Sequence, residues 1–263
     1  MSPSAAPSGP ASAPRILCLH GGGTNAAIFR FQLRTILARS SPNFRFVFVE
    51  APFISNAHTA VAEIFADFAP FRRWLRYEPH HAEIDDDKAA AQIVDACRQA
   101  MRDDNAVADG EWVAVLGFSQ GAKIAASLLW AQDVLGKPLL DAEFKFGVIM
   151  AGRCPPVALS PDLPKNPHIA PAGQSSAEVP TLPTSNKGEH VITIPTLHVH
   201  GLADPGHKLH CQMRDLWFAP DTAKLLEWGG DHRLPVKIPD VDNVLEQIYQ
   251  LSEDAGVSVT RTV

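Results

Sequence analysis

The most constraining feature of the chain is a five-residue apolar run, Trp112-Val113-Ala114-Val115-Leu116, that leads directly into Gly117-Phe118-Ser119-Gln120-Gly121 and then into an Ala- and Leu-rich stretch over 120–135. A short continuous apolar run reads as a strand buried on both faces, and the stretch after it reads as a helix. G-x-S-x-G at such a junction is the pattern of a nucleophile elbow. The turn is sharp, so small residues two before and two after the serine let the backbones pass closely. The hydroxyl is then presented at the carboxyl end of the strand, beside the positive end of a helix. The pentapeptide alone also fits a tight turn with a serine N-cap. The strand–turn–helix context is what makes Ser119 a candidate nucleophile.

A strand buried on both faces needs covering layers, and the remaining sequence supplies them. A fully apolar strand-like run occurs at 16–19, and further strand-like runs at 44–49, 144–150, 196–199 and 224–228. Helical spacing appears over 26–38 (Ile28, Leu33, Ile36, Leu37), over 88–102 (Ile93, Val94, Cys97), around 215–218 and over 241–251. Strands alternating with helices predict an α/β fold with a mostly parallel central sheet and helices on both faces. At 263 residues and 46% hydrophobic content, one domain over 15–252 is expected. Residues 1–14, rich in Ser, Ala and Pro, read as a disordered tail, and 253–263 as a C-terminal tail. Residues 153–190 hold eight prolines and little periodicity, which predicts a Pro/Ser-rich lid or loop insert, because proline removes backbone donors.

Several function classes lack support. The formal charge is −6, and the basic residues are scattered, so no nucleic-acid surface is expected. No apolar stretch approaches the roughly 20 residues of a membrane span. The N-terminus lacks a secretory pattern and the C-terminus lacks a peroxisomal tripeptide or CaaX box, so a cytoplasmic location is expected. Cys18, Cys97, Cys154 and Cys211 show neither zinc-finger spacing nor a disulfide pattern.

A serine hydroxyl needs a base, and imidazole has the right pKa range. The elbow fold places an acid and then a histidine after the serine. Asp204 follows the strand ending His198-Val199-His200-Gly201, and His232 follows the strand ending Glu227-Trp228. Both would sit past the carboxyl ends of parallel strands, where catalytic groups of open sheets collect. Asp204 before Pro205 also fits a simple turn. Asp231 adjoins His232 and would point elsewhere. His198 and His200 alternate on one strand and share a face; a metal pair there would lack a third ligand, so they read as core histidines. His207 and His210 fall on the loop and helix after Asp204, and His80 and His81 on a solvated loop. No metal is expected. An oxyanion needs aimed N–H donors. Gln120, after the nucleophile, should give one, and Gly22 of His20-Gly21-Gly22-Gly23 the other, with Gly21 or Gly23 as neighbours able to substitute. The glycine spacing fits neither a P-loop nor a dinucleotide fingerprint. Phe65, Phe68, Phe71 and Trp74 could line an acyl pocket, or could pack a covering segment onto the sheet.

Assembled, these motifs resemble the FSH family of fungal serine hydrolases, within the α/β-hydrolase superfamily. The likeness is carried by Leu19-His20-Gly21, Ile28-Phe29-Arg30, the stretch from Phe46 to Phe53, Trp74, Gly117 to Ala122, Leu197 to Gly201 with Asp204, and Gly230 to Pro235. Within that family the chain looks most like small thioesterases encoded beside polyketide synthases. The resemblance implies a triad of Ser119, Asp204 and His232, no cofactor, and a polyketide-like acyl substrate carried on a synthase acyl carrier domain. Other members of the family are short-chain esterases.

Overall fold

The computed structural model describes residues 5–40, 42–57, 59–176 and 181–259. In chain order its elements are β1 (Arg15–Leu19), α1 (Ala26–Gln32), α2 (Arg34–Ser40), β2 (Arg45–Val49), β3 (Phe53–Ser55), α3 (Thr59–Ala62), β4 (Phe71–Arg73), α4 (Asp86–Asn105), β5 (Trp112–Phe118) and α5 (Gln120–Leu135). They continue as β6 (Phe146–Met150), β7 (Val157–Ala158), β8 (Ala170–Pro171), β9 (Thr196–Gly201), α6 (His207–Trp217), β10 (Ala223–Trp228) and α7 (Ile238–Asp254). Six strands form one parallel sheet in the order β10-β9-β6-β5-β1-β2. The chain first moves from β1 to β2, then crosses to β5 on the other side of β1. The crevice between β1 and β5 is therefore the topological switch point, where open α/β sheets place ligands.

Strand periodicity divides the core into two layers. Ile16 and Cys18 of β1 pack with α1, α2 and α7, through residues such as Phe29, Ile36, Val244 and Ile248. Leu17 and Leu19 point the other way, into the core layer that also holds residues of α4 and α5 and the indoles of Trp74, Trp130 and Trp217. The run expected as a single helix over 26–38 is broken at Leu33, which leaves the helical region (ψ 1°) and separates α1 from α2.

The two expected tails need revision, and the 153–190 stretch takes the loop form of its two readings. Residues 5–13 are not a loose tail. Ser8 and Phe46 exchange both backbone hydrogen bonds (3.0 and 2.7 Å), Arg45 Nη1 donates to Gly9 O (3.0 Å), and Ala13 is buried. The segment covers the exposed edge of β2, which would otherwise present unpaired backbone groups. Residues 1–4 lie outside the described residues. At the other end α7 runs on to Asp254, Val257 is buried, and residues 260–263 lie outside the described residues. The stretch 153–190, apart from 177–180, which also fall outside, forms a pinned loop over the α4–α5–α6 layer. Trp130 Nε1 donates to Glu189 O (2.7 Å), Trp217 Nε1 to His168 O (3.0 Å) and Val157 N to Ser127 Oγ (2.8 Å). Leu159, Leu163 and Ile169 are buried beneath it.

A buried ion cluster closes the amino-terminal end of β1 and β2. Asp104 at the end of α4 accepts from Arg45 (Nη2 2.6 Å, Nε 2.9 Å) and from Arg15 (3.3 Å). Among the described residues no helix is long and apolar enough to cross a membrane.

Candidate active site

Ser119 sits at φ 53°, ψ −113°, a sparsely populated conformation for a residue with a Cβ. Two glycines permit it. A Cβ at Gly117 would lie 2.3 Å from Gly121 O, and one at Gly121 would lie 2.1 Å from Leu19 O. The elbow thus presses directly against the end of β1. Ser119 N donates to Met150 O (2.9 Å), which fixes the turn to β6.

The structure brings three of the predicted residues into one hydrogen-bonded row. His232 Nδ1 donates to Asp204 Oδ2 (2.6 Å), and His232 Nε2 accepts from Ser119 Oγ (3.0 Å). Asp204 Oδ1 accepts from Gly206 N (2.7 Å). Burial alone would raise the Asp204 carboxyl, but the Gly206 N–H and the bond from His232 outweigh it, so the group is held below its usual 3.8. An ionised Asp204 only accepts, which places the His232 proton on Nδ1 and leaves Nε2 free to take one from the serine. Asp231 points away, exposed and paired with Arg233 (3.4 Å).

The glycine loop lies across from the elbow. A Cβ on Gly21 would approach Ser119 Cβ (3.5 Å), and one on Gly22 would meet the Gln120 side chain (3.1 Å). Gly23 is not available as a donor to substrate, because its N–H is given to Arg72 O (2.8 Å). Among the described residues neither Gly21 nor Gly22 donates to a backbone carbonyl. Gln120 N opens α5, where the first N–H groups have no partner within the helix.

Two side chains hold this loop in roles that the sequence did not announce. His20 is fully buried; its Nε2 accepts from Ala51 N (3.1 Å), so Nδ1 carries the proton and donates to Gly21 O (2.7 Å). The Gln120 amide clamps the opposite wall: its Oε1 accepts from Trp74 N (2.7 Å) and Leu75 N (3.2 Å), and its Nε2 donates to Leu75 O (3.1 Å). Gln120 was legible only as the residue following the nucleophile.

The proposed pocket aromatics divide differently. Trp74 is completely buried in the core and gives its indole N–H to His20 O (2.7 Å), so it supports the loop and lines no open space. Phe65, Phe68 and Phe71 cluster with Ile28 and Val61, and Phe65 meets Phe68 edge-on at 5.3 Å. That is packing of a covering segment, the plainer of the two readings. His81, expected on a solvated loop, is buried and its Nδ1 accepts from the amides of Tyr77 (3.3 Å) and Glu78 (3.2 Å); His80 is exposed.

His198, His200 and His210 are fully buried. Burial holds the His198 imidazole well below its usual range and brings His200 and His210 to about 4, so all three are neutral at neutral pH. His210 lies behind the row, 3.8 Å from Asp204 Oδ2. His207 and His210 both belong to α6, and all four cysteines are free thiols.

The profile of a family described as serine hydrolase (FSH1) matches residues 10–244. The esterase citA of Monascus ruber is 44% identical over 248 residues, covering 92% of this chain and 94% of its own. The esterase claE of Penicillium crustosum is 44% identical over 255 residues, covering 93% and 94%. Among solved structures, acyl-protein thioesterase 2 of Zea mays superposes with a TM-score of 0.53 at 16% identity, over 93% of this chain and 96% of that one. A Bacillus cereus carboxylesterase superposes with a TM-score of 0.51 at 15% identity, over 94% and 93%. These likenesses bear out the expected α/β-hydrolase fold.

Proposed function

This chain belongs to the serine hydrolase (FSH1) family, and from that premise we propose that it cleaves an acyl thioester through a triad of Ser119, His232 and Asp204. The observation that carries the triad is the unbroken row Ser119 Oγ, His232 Nε2, His232 Nδ1, Asp204 Oδ2, with steps of 3.0 and 2.6 Å across the ring. His232 takes the hydroxyl proton as Ser119 attacks the acyl carbonyl. The oxyanion is met by the N–H groups of Gln120 and Gly22, each worth about 3 kcal/mol by analogy with measured oxyanion donors. The proton returns to the departing thiol, and a water activated by His232 then hydrolyses the acyl-enzyme. Asp204 fixes the tautomer and stabilises the imidazolium.

The substrate side rests on resemblance: a polyketide-like acyl chain delivered on a synthase acyl carrier domain, in the cytoplasm. A second reading, a carboxylesterase acting on short oxygen esters, is favoured by the designation of the 44%-identical relatives as esterases. Matched acyl thioesters and oxygen esters, assayed side by side, separate the two: a kcat/KM at least tenfold higher on the thioester is expected, and the reverse order overturns the thioesterase reading. A fluorophosphonate probe is expected to label the native protein and spare Ser119→Ala. Labelling of that variant would move the nucleophile elsewhere.

A further inference from the structure

His200, His207, Cys211 and Glu227 place four ligand atoms within 4.8 Å of one another, beside the hydrolytic row and sharing no residue with it. Two register rules build this cluster. His200 and Glu227 are direct partners across the parallel β9–β10 pair, so their side chains leave the sheet on the same side. His207 and Cys211 stand four residues apart on α6, one turn above the other. Cys211 Sγ lies 3.8 Å from His200 Nδ1 and 3.8 Å from His207 Nε2, and His207 Nε2 lies 2.7 Å from Glu227 Oε1.

We propose that these four residues bind one divalent cation of the zinc class in tetrahedral geometry. Zinc–sulfur and zinc–nitrogen bonds of about 2.3 and 2.0 Å at the tetrahedral angle require a sulfur–nitrogen separation of about 3.5 Å. The two observed separations are within a few tenths of an ångström of that. The third known separation, 2.7 Å between His207 and Glu227, has to open by under about 1 Å for tetrahedral ligation, and the Glu227 side chain is partly exposed. One thiol, two imidazoles and one carboxylate select zinc or cobalt over magnesium or calcium, which take oxygen ligands.

The second observation is His200 itself. Its ring is fully buried, and the polar neighbour of its Nδ1 is the thiol inside the cluster, 3.8 Å away. A cation held between those two atoms would give Nδ1 a stronger partner than that long contact. Binding forms four metal–ligand bonds and breaks the Cys211 S–H bond and the His207–Glu227 hydrogen bond; the thiol proton leaves to solvent, and the neutral His207 ring shifts its proton from Nε2 to Nδ1 so that Nε2 can ligate. No electrons are transferred. Because Asp204 lies between β9 and α6, the bound ion ties down both ends of the segment that carries it.

Cobalt(II) titration of the full chain tests the site, because a thiolate ligand gives cobalt a near-ultraviolet charge-transfer band. One equivalent is expected to produce that band with tetrahedral visible absorption, release one proton and be displaced by zinc. Cys211→Ser is expected to abolish the band, and His207→Ala to weaken binding at least tenfold. Cys154→Ser is expected to leave both unchanged. Circular dichroism of the metal-free variants checks that each is folded; His207 and Glu227 are partly exposed, so His207→Ala and Glu227→Gln keep the test decisive if Cys211→Ser misfolds. Absence of the band at millimolar cobalt, or its survival in Cys211→Ser, overturns the proposal. So does weak binding without sulfur character, which would place the ion on Asp204, His210 and His232.

Discussion

Lys123 is buried one turn into α5, and its ammonium has a single weak hydrogen bond, to Cys154 O at 3.4 Å. Among the described residues no carboxylate compensates it; the charged or titratable groups acting on it there are the Cys154 thiol and Arg153. Burial lowers its pKa from 10.5 to about 8. In the unfolded chain the group keeps its ordinary value. Between pH 8 and 10.5 the unfolded state therefore holds one proton more than the folded state, and stability rises with pH across that window. Below pH 8 the penalty is fully present. At 1.36 kcal/mol per pH unit, the window is worth about 3 kcal/mol. Lys123→Met removes the charge, keeps most of the volume and gives up one poor hydrogen bond of about 1 kcal/mol. The variant is expected to be about 2 kcal/mol more stable than the native protein at pH 7, and the advantage is expected to vanish by pH 10. Urea unfolding of both proteins at each pH checks this, carried out in a Cys154→Ser background because that thiol interacts with Lys123; the remaining thiol and tyrosine titrations are common to both and cancel in the difference. A difference that stays constant from pH 7 to 10, or a variant less stable at pH 7, would refute the assignment of the penalty to Lys123.

Asp104→Asn removes the anion that two buried arginines share, and is expected to cost about 3–5 kcal/mol in urea unfolding. Asp204→Asn is expected to lower kcat by about 10⁴ with little change in KM, because the wrong histidine tautomer is then favoured; a loss under tenfold on any ester substrate would place the orienting group elsewhere. Gln120→Ala leaves the candidate oxyanion N–H in place but cuts three hydrogen bonds to the 74–75 backbone. A fall of about tenfold in kcat/KM is expected, restored in part by Gln120→Glu, whose carboxylate still accepts from the two amides; equal losses in both variants would assign the clamp no positioning role.

The sequence signals that held were local ones. Each sheet strand announced itself as a short run centred on apolar residues, and α5 could be placed over 120–135 because the elbow opens it and Ala and Leu fill it; the structure closes it at Gly136, in the left-handed region. What was hidden depended on distant partners. The 5–13 segment carries no strand signal, since a Ser/Ala/Pro composition pairs with β2 only through backbone groups. The 153–190 loop is ordered by side chains of α4, α5 and α6 donating to or accepting from its backbone, which leaves no period in its own sequence. Phe65, Phe68, Phe71 and Trp74 read correctly as apolar, but composition does not say which apolar surroundings each enters. His200 seemed to lack further ligands because the other three come from a facing strand and the next helix.

Ser119 and His232 are 113 residues apart, yet their reacting atoms meet at 3.0 Å. The device that achieves this extends the sheet's own ladder past the strand ends. Ser119 N donates to Met150 O, the last residue of β6. Ala151 N, one residue on, donates to Val199 O of β9, and Leu202 N, just past β9, donates to Trp228 O at the end of β10. Ala203 N then donates to Gly230 O, two residues before His232. Each loop is thus held by backbone bonds to the next strand or its loop, one after β5 and one after β6 and two after β9, and the bonds run in order from the nucleophile to the acid and the base. A slip of one residue in any of these parallel registers would send the following side chain to the other face of the sheet. The order Ser, Asp, His in the chain is therefore also the order of strands β5, β9 and β10 across the sheet. That is why the linear sequence carried the candidate triad so legibly, while the cluster of His200, His207, Cys211 and Glu227, which depends on the pairing of two strands and the turn of a helix, needed three dimensions to be seen.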